Sequence, residues 1–428
     1  MTYLLQGPGG ALKGRIQLTG SKSIANRALI IQALAPEGFP IERLAAADDT
    51  QRLQAILQSQ DEVLDVGPAG TTYRFLTAYL CRRPGFQTLT GSKRMLERPI
   101  GILVDALKEL GADISYLGKE GYPPLRIGYS ELDQANKLKI SASTSSQFIS
   151  ALLLLAPSLP QGLELELEGQ LVSRPYIEMT LVLMARFGAH YDWPADSNII
   201  RVASGTYAGF SQASGSALAP FVVEADWSAA SYYYSLAAIA EEADLQIDGL
   251  FEDSLQGDRA VVDIYRAFGV ESHFNQDGVR IVKTRGSTNP PVVEKDFLKC
   301  PDIAQTVAVS CAATGVQGLY SGLETLFIKE TDRVAALKTE LAKVGVFLSK
   351  LPPRLAGKSG TTYYLQEGQA TFEVPVIFAT YHDHRMAMAF APLALLGPIK
   401  IEDPMVVIKS YPDFYQDLEQ LGFQVTEV

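Results

Sequence analysis

The sequence predicts an α/β fold in two domains, and three observations lead to it. A unit of amphipathic helix, glycine and short strand recurs along the chain, the glycines are almost evenly spaced, and 428 residues exceed what one hydrophobic core organises. The unit appears at residues 103–111 ahead of Ala112-Asp113-Ile114, at 181–188 ahead of Ala189-His190-Tyr191 and at 261–269 ahead of Val270-Glu271-Ser272. It returns at 337–345 ahead of Val346-Phe347-Leu348 and at 417–422 ahead of Phe423-Gln424-Val425. Each helix stops on a glycine suited to a left-handed C-terminal cap. Gly111, Gly188, Gly269, Gly345 and Gly422 stand 77, 81, 76 and 77 residues apart, which is too regular for chance and too long for a solenoid unit. The same spacing carried towards the N-terminus leaves room for a sixth, shortened unit, with a helix over 49–58 and a strand over 62–66. Six units across two domains make three per domain.

The helix starts read Glu97-Arg98-Pro99, Ser173-Arg174-Pro175, Gly257-Asp258-Arg259, Thr331-Asp332-Arg333 and Tyr411-Pro412-Asp413, mixing N-cap residues, first-turn prolines and arginines. The helix dipole disfavours cations at this end. Recurrent arginine therefore points either to helix ends that face an anion or to arginines paired with the neighbouring Asp or Glu.

Composition narrows the function. Hydrophobic residues make up 47% of the chain and charged ones 20%, as in ordinary globular proteins rather than disordered ones. A net charge of −11 argues against a nucleic-acid-binding surface, which carries a basic footprint. Anionic small molecules need only a local positive site. The N-terminus lacks the basic and apolar regions of a signal peptide, so the cytoplasm is the expected location, and the longest apolar run, 148–157, falls short of the ~20 residues of a membrane span. Cys81, Cys300 and Cys311 have no metal-ligand or paired spacing and read as buried small hydrophobes.

Several motifs carry polar chemistry. Gly20-Ser21-Lys22-Ser23 follows an apparent strand over 15–18 and precedes a helical pattern over 24–34, the arrangement of an anion site at a helix N-terminus. Arg15 stands where a nucleotide-binding P-loop needs glycine, so nucleotide hydrolysis loses its support. By itself the tetrapeptide is weak, since a capped helix with an exposed lysine also explains it. Ala69-Gly70-Thr71-Thr72 resembles a second glycine turn into a helix with backbone N–H groups available to an anion. Ser143-Thr144-Ser145-Ser146-Gln147 is a hydroxyl cluster of which an N-cap explains only one serine. Lys329-Glu330-Thr331-Asp332-Arg333 and Tyr381-His382-Asp383-His384-Arg385-Met386-Ala387-Met388 gather titratable groups ahead of apolar helices, the grouping that general acid–base chemistry needs.

In their order along the chain these motifs resemble the 5-enolpyruvylshikimate-3-phosphate synthases. The resemblance runs nearly end to end through Lys22-Ser23 with Arg27, Gly70-Thr71, Glu97-Arg98-Pro99, Ser145-Ser146-Gln147, Ser173-Arg174-Pro175-Tyr176, Pro301-Asp302, Lys329 through Arg333, Asp383 through Met388, and Lys409. The Lys-Glu-Thr-Asp-Arg and Asp-His-Arg-Met-Ala-Met strings are its specific part. It implies an enolpyruvyl transferase fold, an inside-out α/β barrel of three repeated βαβαββ units in each domain, with one unit shortened. One domain would span residues 21–223 and the other 1–20 plus 224–428, joined by a double crossover near 20/21 and 223/224, with ligands in the cleft.

The resemblance further implies transfer of the enolpyruvyl group of phosphoenolpyruvate to the 5-hydroxyl of shikimate 3-phosphate, with release of phosphate and with no metal or cofactor. The two small molecules would be the only partners of a monomer that binds neither nucleic acid nor membrane. By position, shikimate 3-phosphate would meet Lys22, Ser23, Arg27, Ser145, Ser146, Gln147, Ser173, Tyr176, Asp302, Thr325 and Lys329. Phosphoenolpyruvate would meet Lys22, Gly70, Thr71, Arg98, Gln147, Lys329, Arg333, Arg385 and Lys409, the lysines and arginines among them clamping its phosphate and carboxylate. Lys22, Asp302, Glu330 and His384 would be catalytic, with Asp302 accepting the proton of the attacking hydroxyl and Glu330 serving C3.

The chain departs from the family pattern in places. The segment between Asp49 and Gly67 is about two dozen residues short of the unit length, implying a missing strand and helix portion. Pro68, Thr325 and His382 stand where asparagine is common. Gly70, where insensitive members often carry alanine, implies sensitivity to glyphosate. A related transferase acting on UDP-N-acetylglucosamine shares the fold but typically has Asn after the N-terminal lysine; Ser23 and Ser145-Ser146-Gln147 favour shikimate. A catalytically silent scaffold is opposed by Lys22, Asp302, Glu330 and Lys409.

Overall fold

The structure, a computed structural model, describes residues 1–142, 145–169, 171, 174–208, 220–352, 354 and 361–428. The chain divides into two compact units, one of Met1–Thr19 with Glu224–Val428 and one of Gly20–Val223.

The five complete modules share one topology. Two parallel neighbours are joined by a buried helix, and a second helix leads into a hairpin whose last strand pairs with the second of the parallel strands. Lys137–Ser141, helix Ser146–Leu155, strand Leu163–Glu168, helix Arg174–Arg186 and the hairpin Tyr191–Asp192 with Ile199–Val202 form one example. Its second strand reads Leu-Glu-Leu-Glu-Leu-Glu. The period of two puts Leu163, Leu165 and Leu167 in the core. It turns the glutamates outward, where Glu164 meets Lys137 at 3.0 Å and Arg201 at 2.8 Å.

Sequence repeat and structural module coincide at the glycines. Gly111, Gly188, Gly269, Gly345 and Gly422 have φ of 104°, 88°, 74°, 80° and 90°, the left-handed conformation that frees the chain to turn from helix into hairpin.

Two modules are assembled from distant parts of the chain. Thr2–Gln6 takes the fourth-strand place beside Ile399–Glu402 and Gln424–Glu427, so the N-terminal strand completes the last module. Leu12–Gln17 pairs in parallel with Ala243–Asp248, and the whole Gly20–Val223 unit is inserted between those two strands.

The sixth module is the shortened one. The sequence reading removes a strand and a helix from it; the structure keeps both helices, Lys22–Leu34 and Asp48–Gln58, together with a parallel pair of Ile41–Glu42 and Phe221–Val222. Among the described residues, the antiparallel hairpin is what it lacks. Val63–Asp65, read from the sequence as part of this module, instead pairs in parallel with Phe86–Thr90 and opens the next one. Periodicity identifies a strand but not its partner, which explains the error.

The first helix of each module lies inside. Trp227–Ile239, Ala304–Thr314 and His384–Phe390 are in mutual contact in one unit, as are Lys22–Leu34, Gly70–Tyr79 and Ser146–Leu155 in the other. Nearly every residue of Trp227–Ile239 and Ala304–Thr314 is buried, as expected of helices apolar on all sides. The apolar run at 148–157 has the same cause: it is the core of helix Ser146–Leu155. Among the described residues no helix is long and apolar enough to cross a membrane. Cys81, Cys300 and Cys311 are buried and unpaired with one another, and burial pushes each thiol up to about 12.

Candidate active site

In Gly20–Val223, polar residues at the starts of the three inner helices are linked to one another. Gln147 Nε2 donates to Thr71 Oγ1 at 2.8 Å, while Arg74 Nη1 donates both to Gln147 Oε1 and to the Gly70 carbonyl at 2.9 Å. Thr72 Oγ1 donates to the Asp49 carbonyl at 2.8 Å, and the Asp49 carboxylate stands 3.4 Å from Lys22 Nζ. Gly70 is constrained by cations: a Cβ there would stand 2.5 Å from Arg98 Nη1 and 2.7 Å from Arg74 Nη1. Lys22, Gly70, Thr71, Arg98 and Gln147 therefore share one end of this unit.

Ser145 caps the third inner helix, accepting from the Gln147 N–H at 3.4 Å, and Ser146 and Ser23 are half-buried in first turns. Arg27 is only 2% exposed. Its guanidinium donates to Thr180 Oγ1, Ser150 Oγ and the carbonyls of Ser23 and Tyr176 at 2.7–3.2 Å. Burial lowers its pKa to about 10, which still leaves a cation at neutral pH. Through the Tyr176 carbonyl it ties the first inner helix to helix Arg174–Arg186. Ser173 lies outside the described residues, as do Ser143 and Thr144 of the hydroxyl cluster.

In the other unit the arrangement is a network of ion pairs. Arg333 Nε donates to Asp383 Oδ2 at 2.7 Å, its Nη1 to Asp302 Oδ1 at 3.1 Å and its Nη2 to Glu330 Oε2 at 2.8 Å. Lys409 Nζ reaches Glu330 Oε1 at 2.6 Å. Arg385 Nη2 lies 3.0 Å from Asp302 Oδ2, and Lys329 Nζ lies 3.6 Å from Asp302 Oδ1. Lys329, Glu330, Arg333, Asp302, Arg385 and Lys409 are thus brought together from four elements.

Local structure explains how they are held. Asp302 lies in the tight turn Pro301–Ile303 ahead of helix Ala304–Thr314. Asp332 caps the helix that Arg333 begins, accepting from the Ala335 N–H at 3.0 Å. Asp383 caps the helix carrying His384 and Arg385. The two residues before it, Tyr381 and His382, have φ of 54° and 56°. Histidine and asparagine are among the few side chains that enter this left-handed region readily, so His382 suits a position where asparagine is common. Tyr381 Oη is anchored on Glu340 at 2.7 Å and His382 Nδ1 lies 3.0 Å from Asp403.

The charges bias one another. Burial alone would raise the Asp302 carboxyl, but Arg385, Lys329 and Arg333 outweigh it and hold that group well below the usual carboxylate range. Burial lowers Lys329, with Arg333 and Arg385 adding to the effect against Asp302 and Glu330. Burial would likewise lower Arg333, yet Asp383, Glu330 and Asp302 together raise it. Such a group of lysines and arginines around acids can bind a multiply charged anion and also move protons.

Three expected residues sit less openly than the sequence suggests. Arg333 is 2% exposed, behind Asp302 and Glu330, and His384 is 1% exposed with Nδ1 at 3.7 Å from Asp383 Oδ1. Thr325 Oγ1 is buried and has no hydrogen-bond partner among the described residues. Of the helix-start arginines, Arg174 pairs with Glu178 at 2.7 Å. Sequence reading gave no role to Arg74, Asp49, Asp383, Ser228 or Asp258. Asp258 and Asp383 stand in motifs that it quotes, but a pairing across the fold leaves no local signal.

The family model for EPSP synthase (3-phosphoshikimate 1-carboxyvinyltransferase) matches residues 7–60 and 53–418. The chain is 45% identical over 426 residues to a 3-phosphoshikimate 1-carboxyvinyltransferase of Bacteroides fragilis, covering 99% of each chain. It is 35% identical over 453 residues to the enzyme of that name from Aliivibrio fischeri, covering 99% of this chain and 100% of the other. An EPSP synthase structure from Acinetobacter baumannii aligns over 100% of both chains with a TM-score of 0.76 at 20% identity, a likeness of fold.

Proposed function

The chain belongs to the EPSP synthase family, and from that membership we propose that its two sets of polar residues divide the labour of a single reaction. The protein is an enzyme that transfers the enolpyruvyl group of phosphoenolpyruvate to the 5-hydroxyl of shikimate 3-phosphate and releases phosphate, a step of the shikimate pathway to the aromatic amino acids.

The unit Gly20–Val223 is assigned recognition. Ser23, Ser145, Ser146, Gln147, Ser173 and Tyr176 hold shikimate 3-phosphate, with Arg27 supplying positive charge behind them. Lys22, Gly70, Thr71, Arg98 and Gln147 hold phosphoenolpyruvate. The other unit is assigned the proton chemistry, with Lys329, Arg385 and Lys409 meeting anionic oxygens. Thr325, whose buried hydroxyl has no hydrogen-bond partner among the described residues, is assigned to shikimate 3-phosphate.

In the addition step C3 of phosphoenolpyruvate takes a proton while the 5-hydroxyl oxygen bonds to C2 and gives its proton to Asp302. Glu330 serves C3, delivering that proton and removing one in the elimination step. As the C2–O bond to phosphate then breaks, Lys22 protonates the leaving group. Arg333 aims Asp302 and Glu330 by binding both, and His384 supports the turn that carries Arg385. We place the enzyme in the cytoplasm as a monomer.

The observation that carries this assignment is Asp302, an ionised carboxylate that lies within 3.6 Å of the side-chain nitrogens of Lys329, Arg333 and Arg385, so that a proton acceptor stands among cations suited to anionic oxygens. The test is phosphate release from phosphoenolpyruvate with shikimate 3-phosphate or UDP-N-acetylglucosamine as acceptor. Release with shikimate 3-phosphate that collapses in Asp302→Ala supports the assignment. Release only with the sugar nucleotide, or an Asp302→Ala variant with undiminished turnover, overturns it.

A further inference from the structure

One buried acid beside the ion-pair network has no place in the mechanism above. Asp258 stands in the Gly257–Ala260 turn ahead of helix Val261–Arg266 and is 4% exposed. Its Oδ2 accepts a short hydrogen bond from Ser228 Oγ, and its Oδ1 is buried with no hydrogen-bond partner among the described residues. Ser228 Oγ in turn accepts from Arg385 Nη2 at 3.4 Å. The same guanidinium nitrogen lies 3.0 Å from Asp302 Oδ2, and Arg385 Nη1 donates to the Asp302 carbonyl at 3.2 Å. Arg385 is therefore held from two sides, by Asp302 directly and by Asp258 through one hydroxyl.

We propose that Asp258 is a positioning residue, which fixes the Arg385 guanidinium through Ser228 and, by its own charge, sets how strongly that guanidinium attracts the anion of phosphoenolpyruvate. The inference rests on the assignment of Arg385 to phosphoenolpyruvate.

The physical reason is competition for one cation. A second carboxylate close to Arg385 lowers the positive potential left for an incoming anion, and this is felt strongly in a poorly solvated setting. Ionised, Asp258 opposes substrate; protonated, it keeps the hydroxyl link and removes the opposing charge. Its surroundings favour the proton. Burial, then the neighbouring Asp302 charge, pushes the Asp258 carboxyl up to about 7, against the opposing pull of Arg385 and the Ser228 hydrogen bond. Asp226, at the start of helix Trp227–Ile239, adds in the same direction, and Cys300, ahead of the Asp302 turn, is a further titratable neighbour. Asp258 thus changes charge across the neutral range.

The test compares KM for phosphoenolpyruvate against pH in wild type and Asp258→Asn, whose amide is uncharged and still accepts from Ser228. Ionisation of phosphoenolpyruvate is common to both proteins and cancels in the ratio. The expected result is a wild-type to variant KM ratio that climbs about fivefold from pH 6 to pH 8, the effect of one added like charge, while kcat in the variant falls less than threefold. Ser228→Ala should raise KM for phosphoenolpyruvate roughly threefold at pH 7, the loss of about one weak hydrogen bond. Parallel KM–pH profiles, or an unchanged KM in Ser228→Ala, overturn the inference. Arg385→Ala separates this from the underlying reading: if it leaves KM for phosphoenolpyruvate unchanged, the assignment of Arg385 fails first. A raised KM there with parallel profiles in Asp258→Asn removes the Asp258 role alone.

Discussion

The two units use the same module to opposite electrostatic ends. At the inner-helix starts of Gly20–Val223 two arginines rest on neutral acceptors: Arg27 on hydroxyls and carbonyls, Arg74 on the Gly70 carbonyl and the Gln147 amide. Asp49, 3.4 Å from Lys22, is the carboxylate in that group. In the other unit Lys329, Arg333, Arg385 and Lys409 are interleaved with Asp302, Glu330 and Asp383. Cations on neutral acceptors keep their charge for a ligand, whereas cations among carboxylates set the protonation of those acids. On the assignment proposed above, the difference teaches that a repeated scaffold fixes where side chains converge, and the residue types at the helix starts decide whether that place binds or transfers protons.

The strongest way to break this comparison is to remove the acids. Asp302→Ala and Glu330→Ala should each lower kcat by ~10²- to 10⁴-fold, the range of a positioned acid or base, with far-ultraviolet circular dichroism unchanged. Arg98→Ala in the other unit should act chiefly on KM for phosphoenolpyruvate. Steady-state kinetics on purified variants check both, and acid variants that change only KM would erase the distinction.

A sharper probe of the carboxylate network is Arg333→Met. Leaving Asp302, Glu330 and Asp383 without their shared cation should destabilise the protein by about 3–5 kcal/mol, as when one partner of a buried ion pair is removed. Urea unfolding measures this. A loss under 1 kcal/mol would mean that Lys329, Lys409 and Arg385 already neutralise the acids.

The smallest effect belongs to Gly70→Ala. The new methyl would meet Arg98 and Arg74 at 2.5 and 2.7 Å. Both contacts are flexible side-chain ends, so the guanidinia should shift rather than the backbone. KM for phosphoenolpyruvate should rise roughly tenfold, about 1.4 kcal/mol and within the usual range for overpacking, and inhibition by glyphosate should weaken by at least as much. Equal inhibition of the variant and the wild type would separate Gly70 from the anion site.

Much of the architecture was legible because it rests on local rules. A left-handed residue is needed wherever a module's outer helix turns into its hairpin, and glycine meets that need at least cost. The spacing of Gly111 to Gly422 therefore exposes the modules. Leu163–Glu168 likewise displays its buried face as an alternation. Pairing between distant strands has no such signature. That is why the sequence pattern assigns Val63–Asp65 to the wrong module and puts the shortened module's loss in a strand and helix instead of a hairpin.

The same boundary runs through the site. Residue types and their order are enough to single out Lys22, Gly70, Gln147, Asp302, Glu330, Arg385 and Lys409 as candidates, since each lies in a motif. Only the tertiary structure decided that Arg333 is buried between three acids, that Arg27 is buried on hydroxyls and carbonyls, and that Asp258 reaches Arg385 through Ser228. A motif specifies which groups are available on its own turn of chain. Burial and charge coupling depend on what the other helices bring within a few ångströms, and no local pattern encodes that distance.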